Sequence, residues 1–573
     1  MVPKGICPVM LDGLRFSPIS LFLRGEQGAW YDPSDLTTLF QDSAGTIPVT
    51  AVEQPVGLML DKSKGLALGA ELVTNGTFDT NVNGWTGYYG AAVTLGAGVM
   101  VVTNSAGVQQ GAAATSFTTV IGQTYIFKAS YSSVSTVYLG VGNGPGLYLT
   151  TRAFTGTGST TSYFTATATT TYVSCQLLTG LGLTANFDNI SIKQIAGNHA
   201  FQATAGNRPT LSARVNLLTK TEDFSDAAWT KDNTSLGSIV VAPDGSLTAN
   251  VVSTTTASGL HRIYNTTPLT SAVYARSLYV KAGTAQFVKL TCELPGLWCI
   301  FDVLSGTVVS SLGTTSNSII PVGNNWYRIS IGCSNNATYI TLNIQETSEV
   351  DTYVGTGKTI YIWGADLRPP NSGALLPPYQ RVNTDTNYDT VGFPLYLKCN
   401  GTSSAMLTNS IDFTATDKMT VVTGVRKLSD RYDSIIELSA TLSNAGSFQI
   451  ANNTTNAYGY ALNGSVVAAY APTTYIPPIS NVLAGLFDIS GALIVNEITP
   501  RINGIVNQTN SVASPSAGTG NFGNYPLYLF ARGGTTLWLN GNFYGAIIRG
   551  AQSDTASVTQ TENYMATKTG ITF

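Results

Sequence analysis

The residues able to do chemistry are few in this chain, and their spacing argues against a catalytic centre. Acid–base cleavage of a glycoside needs two carboxylates at a fixed separation. The densest acidic group, Glu293, Asp302, Glu346, Glu349 and Asp351, is spread over different strands and loops, so these acids read as solvated or structural. The two histidines, His199 and His261, are remote from any nucleophile-elbow pattern. Cys7, Cys175, Cys292, Cys299, Cys333 and Cys399 form no close pair, which argues against a zinc site. Buried thiols in a reducing compartment are expected, with a disulfide inside the 292, 299 and 333 group as the alternative. Gly355-Thr356-Gly357-Lys358-Thr359 copies the end of a phosphate-binding loop. Thr352 replaces the required glycine, and strand-like Ile360-Tyr361-Ile362-Trp363 follows instead of a helix, so a turn is expected. No enzymatic activity is expected.

Binding chemistry is better represented. Sugars stack their C–H faces on Trp and Tyr rings, while amides and carboxylates read hydroxyls. The candidates are Tyr88 and Tyr89 in a glycine-flanked loop, Trp298, Trp326 with Tyr327, and Trp538 near Tyr544. Large aromatics also fill cores, and Trp85 and Trp229 are expected to do that. Gly140, Gly142, Gly144 and Gly146 alternate between two strand-like runs and predict a flexible loop at a sandwich end, where it would be ligand-facing.

The elements that must position these residues are strands. Only 11% of the 573 residues are charged, against 43% apolar, so Thr, Ser, Asn, Gln and Gly supply the polar surface. Thr and aromatics favour strands, Gly and Asn favour tight turns, and helix formers are scarce. The fold class is all-β, with several domains at this length. A net charge of −3 without a Lys/Arg run argues against nucleic acid as a partner. The N-terminus lacks the apolar region of a secretory signal, and no apolar run reaches the length of roughly eighteen residues that spans a membrane.

One pattern occurs twice. Glu71 to Thr86 contains Asn75-Gly76-Thr77-Phe78-Asp79 and Gly84-Trp85, and Asn216 to Thr230 contains Glu222-Asp223-Phe224 and Ala228-Trp229. Each opens a run of alternating strands that closes on a short apolar strand, Phe187 to Ile192 in the first and Ile360 to Ala365 in the second. Asp32 and Pro33 mark a short helix start. Asn-Gly pairs at 463–464, 503–504 and 540–541 predict hairpin turns. Ser553 through Lys568 predicts a helix, capped by Ser553 or Asp554 and ended by Gly570.

The stretches 29–63, 197–211 and 216–229 resemble a block found in tailed-bacteriophage virion proteins, in which Leu60-Asp61-Lys62-Ser63 and Gly197 to Thr204 lie close together. Here about 130 residues separate them, so the first module looks inserted into a surface turn. That module resembles jelly-roll carbohydrate-binding modules through Asn75 to Asp79, Gly84-Trp85 and Phe187-Asp188-Asn189-Ile190. The C-terminal third resembles concanavalin/laminin-G-like sandwiches through Met419 to Arg426 and Gly541 to Ile548. The expected plan is a mixed N-terminal virion-attachment segment at 1–65, returning at 197–214, with an inserted jelly roll at 66–196. A second jelly roll follows at 215–369, then a linker at 370–384 and a lectin-like sandwich at 385–573. The resemblance implies a tail fibre, spike or other receptor-binding component, with a capsid decoration (head-fibre) protein and a polysaccharide depolymerase as alternatives. It further implies host polysaccharide or lipopolysaccharide as ligand, other virion proteins as partners, a homotrimer, and a location on the tail or capsid surface after synthesis in the host cytoplasm. Jelly rolls of this type carry a structural Ca²⁺, for which Asp79 and Asp188 are the matching ligands; no other cofactor is expected.

Overall fold

The computed structural model describes residues 16–573 apart from 106–109, 179–181, 268–271, 293–295, 336–338, 369–377, 463–464, 468–474, 492–496 and 508–518. Cys7, Glu293, the Asn463-Gly464 pair and most of the Pro-rich linker lie outside the described residues. The rest is antiparallel β-sandwich with one short C-terminal helix, as the composition predicts.

The sandwiches are nested. Leu58–Met59 pairs with Ala200–Phe201, so the first module leaves and re-enters the sheet at adjoining strands. Thr210–Ser212 pairs with Tyr396–Asn400, so the second module does the same. The stretches flanking the first module are therefore not a separate attachment unit in the described residues. Gly28–Tyr31 and Thr210–Ser212 join one sheet of the C-terminal sandwich, and Leu39–Phe40, Leu58–Met59 and Ala200–Phe201 join the other.

The C-terminal core follows from strand alternation. On Lys418–Lys427, Met419, Val421 and Val425 enter the space between the sheets, while Val422 faces outward. That outer face is covered by helix α1 (Thr555–Thr569), through Met565 and Ala566 with Trp30, Val482 and Ile547. Asp554 caps α1 by accepting from Ser557 N at 2.8 Å, and Gly570 ends it at φ +69°. The short helix expected after Asp32 is reduced to a 3₁₀ turn, Leu36–Thr38, capped by Asp35. Asp32 is a buried acid instead, held by Lys62 at 3.1 Å and Lys568 at 3.0 Å. Asn503-Gly504 does make a hairpin turn, with φ of 49° and 77°. Asn540-Gly541 begins a strand and makes no turn.

The doubled pattern folds the same way twice. Trp85 Nε1 donates to Asn75 O at 3.1 Å, and Trp229 Nε1 donates to Lys220 O at 2.9 Å. Asn75 and Lys220 share a left-handed conformation, with φ of 56° and 55°. Phe78 packs on Trp85 at 5.4 Å and Phe224 on Trp229 at 4.7 Å. Both tryptophans close a sandwich core and offer no face to a ligand.

Each module is tied at its root by buried polar groups. Asp61 accepts from the backbone N–H groups of Trp30, Ser63 and Asn198 and from the Ser63 hydroxyl, at 2.7–2.8 Å. Asp61 N donates to His199 Nδ1 at 2.9 Å, which makes that nitrogen the unprotonated one. At the second root, Gln380 Oε1 accepts from Val215 N and Asn216 N, and its amide donates to Ala213 O and Asp389 O. Asn216 bridges Leu218 N, Leu367 N, Ala365 O and Gln380 O.

The cysteine expectation is corrected at one pair. Cys292 and Cys333 are bonded across the two sheets of the second sandwich, whereas Cys175, Cys299 and Cys399 are free and buried. Non-reducing peptide mapping should recover the 292–333 link, and Cys333→Ser should cost about 2–4 kcal/mol in chemical denaturation.

Burial holds the His199 imidazole below its ordinary value of 6.5, against the opposing pull of Asp61. The unfolded chain then takes a proton more readily than the folded one. The stability this site contributes is present above about 6.5 and is lost as pH falls from there toward the depressed folded value. Tm should fall between pH 7.5 and 5, and His199→Gln should flatten that fall. An equal slope in the variant would exclude His199 as the cause.

Candidate functional site

The second sandwich presents an aromatic and polar face. One of its sheets runs in the order Trp229–Asp232, Arg262–Thr266, Tyr339–Gln345, Phe287–Thr291, Trp298–Asp302, Thr307–Leu312. Ile263, Ile340, Leu342, Ile344, Val288, Leu290, Cys299 and Phe301 turn inward and fill the core. Alternation sends the intervening residues outward. Strand register aligns Tyr264, Thr341, Thr291 and Trp298 in one transverse row. The next row is Arg262, Asn343, Lys289 and Ile300. Tyr264 and Trp298 stand three strands apart, about 14 Å at the usual strand spacing, with threonines between them.

Ion pairs fix the polar members. Lys289 Nζ lies 4.7 Å from the Trp298 ring centre and 2.6 Å from Asp351, which also accepts from Gln345. Arg262 lies 4.7 Å from the Tyr264 ring centre and is tied to Asp232 at 2.9 Å. Each cation thus covers part of an aromatic surface while a carboxylate holds it in place. The Thr341 hydroxyl is buried at 1% exposure without a hydrogen-bond partner among the described residues. Tyr264 and Trp298 are partly exposed at the two ends of the row, with the buried Thr341 and Thr291 between them and the Arg262 and Lys289 cations beside them, so the two rings and their cations are the groups that can meet a hydroxylated ring. Tyr264 escapes sequence reading because Arg262-Ile263-Tyr264 alternates like any strand; only register brings it opposite Trp298.

Three of the described acids of the densest group are engaged by separate partners. Asp302 accepts from Gln286 and from the Leu304 and Ser305 backbone, Glu346 pairs with Lys358 at 2.9 Å, and Asp351 pairs with Lys289. Gly355 to Lys358 is the turn between Thr352–Val354 and Thr359–Arg368.

Trp326 is corrected as a binding candidate. It is 3% exposed and packed among Trp363, Tyr361 and Ala249, so neither ring face is free for a sugar. Tyr327 packs against the core of its own sandwich and under Gly306. Trp538 is half-buried in a loop of the C-terminal sandwich, and its carbonyl accepts from Arg431. Tyr544 is buried and packs on Tyr396.

The matching face of the first sandwich is occupied by its own chain. Gly140 and Gly142 sit on Thr124–Gly142, and residues 147–149 fold back over them. A Cβ on Gly142 would lie 1.4 Å from Leu147 O, so the alternating glycines make room for this return. Gly146 N donates to Ser174 Oγ at 3.0 Å and Tyr148 Oη to Gln176 Oε1 at 2.9 Å. Tyr148 and Tyr138 stack at 6.4 Å. Tyr89 is 52% exposed and anchors to Pro145 O at 2.7 Å, with Tyr88 beside it at 6.4 Å. The glycine segment is thus a strand end and a fastened turn rather than a flexible loop.

Asp79 accepts from the Thr77 hydroxyl at 2.8 Å, and Asp188 accepts from the backbone and side-chain amides of Asn189. Among the described residues no group of three or more His, Cys, Asp or Glu gathers around a metal position.

No family model matches the chain, and no curated protein matches it. Solved structures with some likeness include a CBM4 carbohydrate-binding module, 16% identical, which covers 21% of this chain and 99% of its own at a TM-score of 0.19. The CBM22-1–CBM22-2 tandem of Paenibacillus barcinonensis Xyn10C is 12% identical over 53% of this chain and 98% of its own, at 0.21. The Trypanosoma rangeli sialidase is 8% identical over 86% and 93%, at 0.23.

Gly142→Val should expel residues 147–149 from the sheet and cost about 1–3 kcal/mol. Faster proteolysis within 143–149 would report it; an unchanged digestion pattern would argue against the covering role of that turn.

Proposed function

We propose that the protein is a non-enzymatic component of a tailed-bacteriophage particle that adheres to host surface glycans, with the Tyr264–Trp298 face as its binding surface. The observation that carries the glycan reading is the transverse row Tyr264, Thr341, Thr291, Trp298, backed by Asn343 and Lys289. Two rings at about 14 Å suit an oligosaccharide lying across the strands, with one sugar over each ring and hydroxyls over the polar floor. The particle assignment rests on the resemblance of residues 29–63, 197–211 and 216–229 to a block of tailed-bacteriophage virion proteins, and attachment through other virion proteins and trimerisation belong to the same reading.

Glycan-array and whole-cell adsorption assays test the binding surface directly. Trp298→Ala and Tyr264→Ala should each weaken adsorption by about tenfold or more, equivalent to about 1.4 kcal/mol per ring. Trp326→Ala should instead lower Tm, because its ring is packed in the fold. Equal binding by both face variants would overturn the proposed surface. New reducing ends released from host polysaccharide would overturn the non-enzymatic assignment, and electron microscopy of intact particles distinguishes tail from capsid.

A further inference from the structure

The outer face of the C-terminal sandwich holds a buried cation without a counter-charge among the described residues. Arg426 lies on Lys418–Lys427, opposite Ser480 and Asn542 on the flanking strands, and is 5% exposed. Its Nε and Nη2 have no hydrogen-bond partner among the described residues. These two nitrogens form one edge of the guanidinium, which is closed to solvent and left without an anion inside the wall. Arg501 uses the same edge in this molecule: its Nε and Nη2 hold both oxygens of Glu562, each at 2.8 Å. A buried guanidinium is strongly disfavoured without an anion.

Arg426 lines a cavity of about 410 Å³ between the C-terminal end of α1, the segment Gly392 to Leu395 and the base of the second sandwich. Two further cations line it and are already paired. Arg368 binds Asp366 at 2.8 Å, and Lys568 binds Asp32 at 3.0 Å. No acidic side chain occurs among the described lining residues. The remaining wall supplies the hydroxyls of Ser480 and Tyr544 and the apolar ring of Phe393. The cavity is therefore positively charged, of a size for one sugar ring, and able to meet both hydroxyls and a C–H face.

We propose that this cavity binds a carboxylate-bearing monosaccharide unit, with the guanidinium of Arg426, a cation of the wall without a paired acid among the described residues, taking the carboxylate. Ser480 and Tyr544 meet ring hydroxyls, and Phe393 meets the apolar face. The assignment rests on the glycan-binding reading above but shares none of its residues, so either can fail alone.

Isothermal titration of the full chain with D-glucuronate, D-glucose and inorganic phosphate tests the site. Glucuronate should bind, and glucose and phosphate should bind at least about tenfold more weakly. Arg426→Lys keeps the charge but loses the fork, and should weaken glucuronate by about tenfold. Arg426→Met should abolish it. Thr567→Trp, on the exposed surface of α1 at the cavity, should also weaken it without touching the core. Trp298→Ala should leave glucuronate affinity unchanged while lowering adsorption to neutral glycans. No binding of glucuronate by the native chain, equal binding by Arg426→Met, or phosphate binding as tightly as glucuronate would overturn the assignment.

Discussion

Two short strand pairings carry the connectivity of this molecule: Leu58–Met59 with Ala200–Phe201, and Thr210–Ser212 with Tyr396–Asn400. Each joins residues separated by an entire folded module. Closing a loop becomes costlier only slowly as the loop lengthens, so a sandwich inserted at a turn is tolerated much as a shorter loop would be. Ladders this short cannot hold the geometry alone. The buried Asp61, Asn216 and Gln380 complete them, because each removed donor or acceptor would leave another buried group unpaired.

The nesting makes the N-terminal strands part of the C-terminal core. Tyr31, Leu39, Val56 and Met59 pack with Val421, Ile436 and Phe543 in a single cluster. Asp32 binds Lys568 near the end of α1, and Glu26 binds Arg549 at 2.6 Å. The outermost sandwich therefore forms only when both ends of the described chain have met, while each inserted sandwich has a core of its own. Pairing across such separations is slow to form, which favours the modules folding before the frame closes around them.

Much of this was legible in the sequence, and the parts that were not share a physical cause. Strand content, the capped helix ending at Gly570 and the core role of Trp85 and Trp229 depend on local pattern, and local pattern is visible. Tyr264 and Trp298 are neighbours only through register across four strands, which no single segment encodes. Trp326 looked like Trp298 because both are aromatic residues beginning strands; the Trp363 and Tyr361 rings that bury Trp326 come from another strand. The Cys292–Cys333 bond links strands in different sheets and likewise leaves no local mark.

The two inserted sandwiches share an opening staple yet present opposite outer faces. In the first, Gly140 and Gly142 remove side chains from the sheet, and residues 147–149 take the vacated space. Tyr148 then hydrogen-bonds Gln176, satisfying the face internally. In the second, the corresponding kind of surface keeps its side chains: Asn343 and Lys289 belong to the row beside the one that runs from Tyr264 to Trp298, and the Thr341 hydroxyl is buried without a hydrogen-bond partner among the described residues. A face whose outward side chains are covered and hydrogen-bonded by its own chain gains little from a ligand, whereas one that leaves its rings partly exposed keeps apolar surface for one. Arg426 differs from Arg501 in the same way: the Arg501 edge is filled by Glu562, whereas the buried Arg426 guanidinium has no paired acid among the described residues.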